Sequence, residues 1–153
     1  MRRLFLTFFY TGLLPKAPGT WGTIAGAVAA LPILHYFPPT TLFLATLLLS
    51  LIAIREIDKE EAQSGIHDAS EIVIDEVAGI WLALSMSSAT WAQILFSVIW
   101  FRVFDIWKPS VIGRIDQNTA GGLGVMGDDL LAGVFAAICS AGTYQLLTYA
   151  GLF

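Results

Sequence analysis

Apolar and charged positions alternate along this chain in long blocks. Three blocks carry no charged residue, and the eight basic and twelve acidic side chains all lie outside them. The uncharged blocks are Ala17–Ile54, Val77–Phe101 and Leu130–Phe153. Each is longer than the ~20 apolar residues that one helix needs to cross a bilayer. The pattern predicts an all-α integral membrane protein.

Prolines and polar residues divide the first two blocks into helical hairpins. The pair Pro38-Pro39 cannot continue a helix, and Ser87–Thr90 is a second polar turn. We expect a polytopic helical bundle of about five short transmembrane helices, or four if the first is re-entrant. The predicted helices are Thr20–Phe37, Leu42–Ile57, Ile72–Met86, Trp91–Trp107 and Asp128–Tyr149.

The N-terminus resembles a signal peptide, because Arg2 and Arg3 precede the apolar segment Leu4–Leu14. No small-residue cleavage site follows this segment, and Lys16 comes directly after it. About eleven apolar residues are too few to span a bilayer. We therefore predict an interfacial helix over Leu4–Leu14 that lies on the membrane.

Lysine and arginine positions predict the orientation. The two hairpin turns contain neither residue, whereas the opposite side carries all eight. Because basic loops stay in the cytoplasm, the N-terminus and every charged loop are expected on the cytoplasmic face. The C-terminus is then expected on the outer face.

Composition agrees with a membrane protein of one domain. The 153 residues are 56% hydrophobic and 13% charged, with a mean hydropathy of +0.73, whereas soluble domains have about 25% charged residues. A net charge of -4 argues against nucleic-acid binding. Cys139 is the sole cysteine, so an intrachain disulfide is excluded.

Small residues recur at steps of four, which keeps them on one helix face. Such faces allow membrane helices to approach closely. Two of the three stripes begin with an aspartate, so Asp75 and Asp129 are predicted to point into the bundle. The stripes are Gly22, Gly26 and Ala30; Asp75, Gly79, Ala83 and Ser87; and Asp129, Gly133, Ala137 and Ala141.

Acidic pairs precede two of the predicted helices. An acid inside an apolar helix costs roughly 2.5–3.5 kcal/mol on insertion scales and needs a partner. Helix capping would explain one acid of Asp75-Glu76, but not both. Asp128 could likewise be an N-cap, which leaves Asp129 as the stronger functional candidate.

Carboxylates without cysteine or histidine neighbours favour a hard cation, and we predict Mg²⁺. Asp105 adds a further acid at the end of a predicted helix, and Asp68 is an additional candidate ligand. Zinc is disfavoured, because only His35 and His67 accompany the single cysteine, and His67 is expected at the surface.

Basic residues accompany these acids. Arg102, Asp105 and Lys108 stand at steps of three and fall on adjacent turns of one helix end. They form either an ion-paired helix end or an anion site. Thr20 is a natural N-cap whose helix N-terminus could help to bind an anion. The segment Gly113–Gly127 is predicted to be a glycine-rich loop that either approaches a phosphate or simply connects helices.

Bound cations beside Arg102 and Lys108 would reverse the charge of the acidic cluster and allow a phosphate to bind. A metal can polarise a phosphoryl oxygen while a carboxylate acts as base. At a cytoplasmic membrane face the natural phosphate belongs to a lipid head group. The pattern therefore favours metal-dependent hydrolysis of a lipid phosphomonoester.

Four motifs in order resemble the phosphatidylglycerophosphatase A family, from about Gly12 to Gly133 of this chain. They are Pro18-Gly19-Thr20-Trp21-Gly22-Thr23, Ile74-Asp75-Glu76-Val77-Ala78-Gly79, Phe101-Arg102-Val103-Phe104-Asp105-Ile106-Trp107-Lys108-Pro109, and Asp116-Gln117-Asn118 with Gly121–Asp129 and Ala132-Gly133.

The resemblance implies an all-helical enzyme of the bacterial inner membrane. It would use Mg²⁺ to remove the terminal phosphate of phosphatidylglycerophosphate, giving phosphatidylglycerol. Some relatives carry serine at the position of Thr23 and histidine at that of Ala120, so no histidine base comes from that loop here. The resemblance places the site at Asp75, Glu76, Asp105, Lys108, Asp128 and Asp129.

Together these arguments assign a role to each candidate. Catalysis is assigned to Asp75, Glu76, Asp105 and Asp129; phosphate binding to Thr20, Arg102 and Lys108; and metal binding to Asp75, Glu76, Asp128 and Asp129, with Asp68 as a further ligand.

Other classes fit the pattern less well. A small cation transporter or channel subunit would need polar groups at the bilayer midplane or on both sides, whereas every acid here is on one side. A lipid phosphatase with a histidine nucleophile would need a histidine beside an arginine-rich motif. A CDP-alcohol phosphotransferase would need its spaced aspartate signature, which this sequence does not contain.

Overall fold

The computed structural model describes residues 1–87, 90–109 and 111–152, with the side chains of 115–118 set aside. Within these ranges the chain is helical and contains no strand, which confirms the predicted all-α class. A short 3-10 turn over Thr11–Leu13 follows the first helix. The helices are α1 Arg2–Leu6, α2 Pro18–Tyr36, α3 Pro39–Ser64, α4 Ile74–Ser85, α5 Trp91–Trp107, α6 Val111–Asn118 and α7 Gly122–Tyr149.

The first hairpin turns where the prolines predict. However, α3 continues past the predicted end at Ile57 through the charged segment to Ser64. Good helix formers occupy this extension, and Lys59 pairs with Glu56 at 2.5 Å. The helix ends because Gly65 takes the left-handed conformation with φ 70°.

The predicted helix over Leu4–Leu14 is wrong in its length, and its position at the membrane interface stays a prediction. Helix α1 ends at Leu6, because Phe8, Phe9 and Tyr10 all take positive φ angles of 40–67°. The carbonyl of Leu6 accepts a hydrogen bond from the Val73 amide at 3.0 Å, and the Leu6 side chain is buried. The N-terminus is therefore held against the segment that leads into α4.

The glycine-rich loop predicted over Gly113–Gly127 is also wrong, because α6 and the start of α7 occupy most of it. Helix α7 begins at Gly122, not at Asp128. The Gly122 amide donates to Asp58 Oδ1 at 2.7 Å, and a Cβ at this position would overlap the backbone of Ile54. Gly122 thus permits close packing of α7 on α3.

The small-residue stripes lie where helices approach closely, as predicted. On α2, an added Cβ at Gly22 would lie 2.6 Å from Val73 Cβ. Between α4 and α7, an added Cβ at Gly133 would overlap the Gly79 carbonyl oxygen and lie 3.1 Å from its carbon. Backbone therefore meets backbone between α4 and α7, which brings the polar starts of their stripes together.

Two described helices, α3 and α7, are long and apolar enough to cross a membrane. Large apolar side chains are exposed along both helices, for example Leu44, Leu48 and Leu51 on α3 and Ile138 on α7. This surface indicates a membrane protein. Helix α4 has 12 residues and is about 18 Å long, shorter than the ~30 Å hydrocarbon core. Five spans therefore remain a prediction.

Candidate active site

A polar cavity of about 340 Å³ lies at one end of the bundle. The start of α2, the loop before α4, the start of α4, the end of α5 and the first turns of α7 form its walls. Its charged lining is the set that the sequence predicted, with Asp68 included. These residues are Asp68, Asp75, Glu76, Arg102, Asp105, Lys108, Asp128 and Asp129.

Three acids converge on one point of this cavity. Asp75 and Glu76 occupy the first turn of α4, and Asp129 lies inside α7. Each contributes a carboxylate oxygen that lies within 4.8 Å of the other two. The Gly79–Gly133 contact explains this proximity, because each glycine stands four residues after its aspartate. We refer to Asp75, Glu76 and Asp129 as the acid triad.

The acid triad has unsatisfied oxygen atoms. Asp75 Oδ1, Glu76 Oε2 and Asp129 Oδ2 are buried and accept no hydrogen bond from any described residue. Asp75 and Asp129 are only 7% and 3% exposed. Burying like charges without partners costs several kcal/mol per ion. The oxygen-only donor set and its spacing therefore fit a hard divalent cation such as Mg²⁺.

Asp128 is not a helix cap, because it lies well inside α7. Its Oδ2 accepts a hydrogen bond from Lys108 Nζ at 2.6 Å, and its Oδ1 accepts from the Asp129 amide at 3.0 Å. Lys108 follows α5 in the left-handed conformation with φ 43°. The geometry groups Asp128 with Lys108, whereas its predicted role as a metal ligand stays a prediction.

Arg102 and Asp105 form a second ion pair along α5. Both side chains are mostly buried, with 18% and 13% of their surface exposed. Arg102 Nη1 also lies 3.4 Å from Thr23 Oγ1, and Arg102 Nε is buried without an acceptor among the described residues. Among the described residues, the cavity lining therefore contains two basic side chains, each paired with a carboxylate beside the acid triad.

The prediction that Thr20 caps α2 is wrong. The helix begins at Pro18, and its N-cap is Ala17 in the left-handed conformation with φ 53°. Pro18 takes the first helical position, where a missing amide costs nothing. Thr20 is not part of the cavity lining, whereas Gly19 is. An added Cβ at Gly19 would lie 3.2 Å from Arg102 Nη1, so the backbone itself lies against the site.

Two polar residues at the site carry no assignment from the sequence. Ser70 lines the cavity from the loop before α4, and no spacing or charge pattern distinguished it. Thr23 contacts Arg102, and its position in the first motif was the only signal for it. His67 pairs with Glu61 at 2.7 Å and is exposed, in agreement with the predicted surface position.

Helices with exposed apolar side chains, together with a polar cavity whose described lining has more acids than bases, define a class: a helical membrane protein with an oxygen-donor site. The chain belongs to the phosphatidylglycerophosphatase A family, whose family model matches residues 4–144. This result confirms the resemblance seen in the four motifs.

Named relatives agree with this membership. A phosphatidylglycerophosphatase A of Haemophilus influenzae is 37% identical over 131 residues, covering 85% of this chain and 80% of the relative. That of Escherichia coli is 35% identical over 133 residues, covering 84% and 75%. A Bacteroides thetaiotaomicron protein with the provisional name phosphatidylinositol-3-phosphatase is 34% identical over 142 residues, covering 88% of each chain. No solved structure matches this chain.

Proposed function

We propose that this protein is a Mg²⁺-dependent phosphatidylglycerophosphatase. It would hydrolyse the terminal phosphomonoester of phosphatidylglycerophosphate to phosphatidylglycerol and phosphate. The observation that carries the proposal is the acid triad with its three unsatisfied oxygens, beside Arg102 and Lys108 in one cavity. Family membership and two relatives named for this activity support the substrate.

The acid triad would hold the cation. When bound there, Mg²⁺ would neutralise charge on the phosphoryl group and acidify a coordinated water. The donor set supports this assignment because it contains only carboxylate oxygens, and each residue of the triad has one oxygen without a hydrogen bond. Asp68, which also lines the cavity, is a further candidate ligand.

The chain's own cations would bind the phosphate. Arg102 offers a planar group of donors that matches phosphate oxygens, and Lys108 offers a compact positive charge. Asp105 and Asp128 hold these two side chains by ion pairs. A cavity carboxylate would accept the proton of the attacking water as the new P–O bond forms. The P–O bond to the glycerol oxygen would break, and that oxygen would take up the proton from the carboxyl group to become the head-group hydroxyl.

We propose that the cavity opens at the cytoplasmic face of a bacterial inner membrane and that the protein is multi-pass. The starts of α2, α4 and α7 and the end of α5 all meet at the cavity. Alternate helix ends therefore lie on one side, as a multi-pass bundle requires. All eight basic residues fall on that side in the predicted topology, which supports the cytoplasmic assignment.

Cysteine labelling tests this topology. In a Cys139→Ser background, Thr40→Cys at the start of α3 is expected to react with a membrane-impermeant maleimide on intact cells. Ser64→Cys, at the cavity side of α3, is expected to react only after the cells are opened. Both parent side chains are exposed, so burial does not explain a difference. The reverse labelling pattern would contradict the proposed orientation.

The proposed activity is tested by phosphate release from purified protein in detergent. We expect release from phosphatidylglycerophosphate with Mg²⁺ and none with EDTA. Phosphatidic acid and phosphatidylinositol 3-phosphate serve as comparison substrates. Equal rates on all three would retain the chemistry and remove the named substrate. Full activity in EDTA would contradict the metal requirement.

The cation transport alternative finds no support. Both phosphatidylglycerophosphatase relatives are enzymes by name, and the acids lie at one end of the described bundle. The buried polar side chains further along the helices, such as Ser97 and Ser140, are uncharged and hydrogen-bonded to each other.

A further inference from the structure

Thr23 is fully buried in α2, next to the cavity. Its Oγ1 donates a hydrogen bond to the Gly19 carbonyl at 2.8 Å and lies 3.4 Å from Arg102 Nη1. A hydroxyl has one proton and two acceptor lone pairs. Because the Thr23 proton goes to Gly19, its oxygen faces Arg102 as an acceptor.

Two side chains contact the same nitrogen of Arg102. Asp105 pairs with Nη1 from the same helix, and Thr23 contacts it from α2. The Gly19 backbone lies beside them, since a Cβ added there would be 3.2 Å from Nη1. Asp105 belongs to α5 itself and cannot fix Arg102 relative to the other helices. The contact from Thr23 joins Arg102 to a second helix, α2. Because α2 also forms part of the cavity wall at Gly19, this contact can fix the guanidinium relative to the cavity.

We infer that Thr23 is a positioning residue, which holds the Arg102 guanidinium in the orientation that receives a phosphate. The inference rests on the proposed function for the identity of the lipid, but not for the binding of phosphate itself. The guanidinium lines the cavity and has five N–H donors, whereas Asp105 and Thr23 both contact the same nitrogen, Nη1. It therefore retains hydrogen-bonding capacity for an anion.

If Thr23 had a purely structural role, only its hydrogen bond to the Gly19 carbonyl within α2 would matter. Thr46 provides the comparison, because it is fully buried and donates the same kind of bond to Leu42 at 2.8 Å. Neither threonine is part of the cavity lining, but Thr23 contacts Arg102, which is, whereas the hydrogen bonds of Thr46 go to Leu42 and Ser50. If the intrahelical bond were all that mattered, the two threonines would respond alike to substitution.

The test compares Thr23→Val, Thr23→Ser and Thr46→Val in the full-length protein. The dissociation constant of inorganic phosphate is measured by calorimetry in Mg²⁺, and kcat and KM are measured on phosphatidylglycerophosphate. Losing one hydrogen bond to a charged group is expected to weaken phosphate binding and raise KM by about tenfold in Thr23→Val. Thr23→Ser keeps the oxygen and should restore both values, and Thr46→Val should leave both unchanged.

A double-mutant cycle separates positioning from general packing. Thr23→Val is combined with Arg102→Met, which removes the guanidinium. If Thr23 acts through Arg102, the valine should cause no further loss of phosphate affinity in that background. The inference would be overturned if the losses of phosphate affinity in the double variant were additive, or if Thr23→Ser lost as much affinity as Thr23→Val. It would also be overturned if Thr23→Val bound phosphate like the wild type, or if the wild type bound no phosphate. Phosphate binding that follows the expected pattern without hydrolysis of the lipid would support the positioning role and reject the proposed substrate.

Discussion

Replacing Asp129 with asparagine is expected to lower phosphate release by on the order of 10³-fold, within the range that a catalytic acid or base contributes. The metal-free protein should at the same time become more stable. Asp129 Oδ2 is buried without a hydrogen bond, and its carboxylate lies within 4.8 Å of those of Asp75 and Glu76. Asparagine keeps the shape and removes one of three buried acids, whose ionised forms would repel one another. Initial rates in Mg²⁺ and thermal unfolding in EDTA measure the two effects.

Asp58→Asn is the matched control. Asp58 also contacts α7, where its Oδ1 accepts the Gly122 amide, but it lies outside the cavity lining. Asparagine retains an acceptor oxygen, so the variant should keep close to the wild-type rate. If Asp129→Asn were also fully active, the acid triad would not be the site. If it were inactive and less stable in EDTA, Asp129 would have a structural role instead.

Gly133→Ala is expected to destabilise the protein by about 1–3 kcal/mol, the usual cost of overpacking. The added methyl would overlap the Gly79 carbonyl oxygen. This oxygen belongs to the backbone of α4, so it cannot rotate away as a side chain could. Relief would require α4 and α7 to separate. Activity should therefore fall as well, since these helices carry Asp75 and Asp129. Thermal unfolding in detergent and initial rates are measured together.

Gly142→Ala changes the same residue type in the same helix and should act in the opposite direction. An added Cβ at Gly142 meets nothing within 4 Å. Replacing glycine by alanine inside a helix then stabilises by roughly 0.5–1 kcal/mol. Activity should be unaffected, because the site lies at the other end of α7. Equal stability changes in the two variants would refute the close approach of α4 and α7.

The central features of this fold were predictable because they depend on patterns that repeat along the chain. The stripe that contains Gly79 and the stripe that contains Gly133 indicated two close helix faces. Each begins with an aspartate, so their contact was enough to predict that Asp75 and Asp129 point inward. The cavity lining confirms that prediction for both residues.

Other features depend on tertiary contacts that the sequence does not display. The apolar segment from Phe8 to Tyr10 has no glycine or proline, yet it leaves the helix because Leu6 binds Val73. Gly122 suggested a loop by its weak helix propensity. In the structure Gly122 is the first residue of α7. Glycine is required there because a side chain would overlap the backbone of Ile54. Ser70 reaches the cavity through the path of a loop, which no local pattern predicts.

Both cations of the cavity are already engaged, Arg102 by Asp105 and Lys108 by Asp128. Each ion pair is neutral, so without a divalent ion the cavity has no net positive charge to attract a phosphate. In the proposed reaction this imposes an order of events, with the divalent ion binding before the lipid. When divalent ions are scarce, the protein would leave its lipid in the bilayer rather than hold it in an unproductive complex.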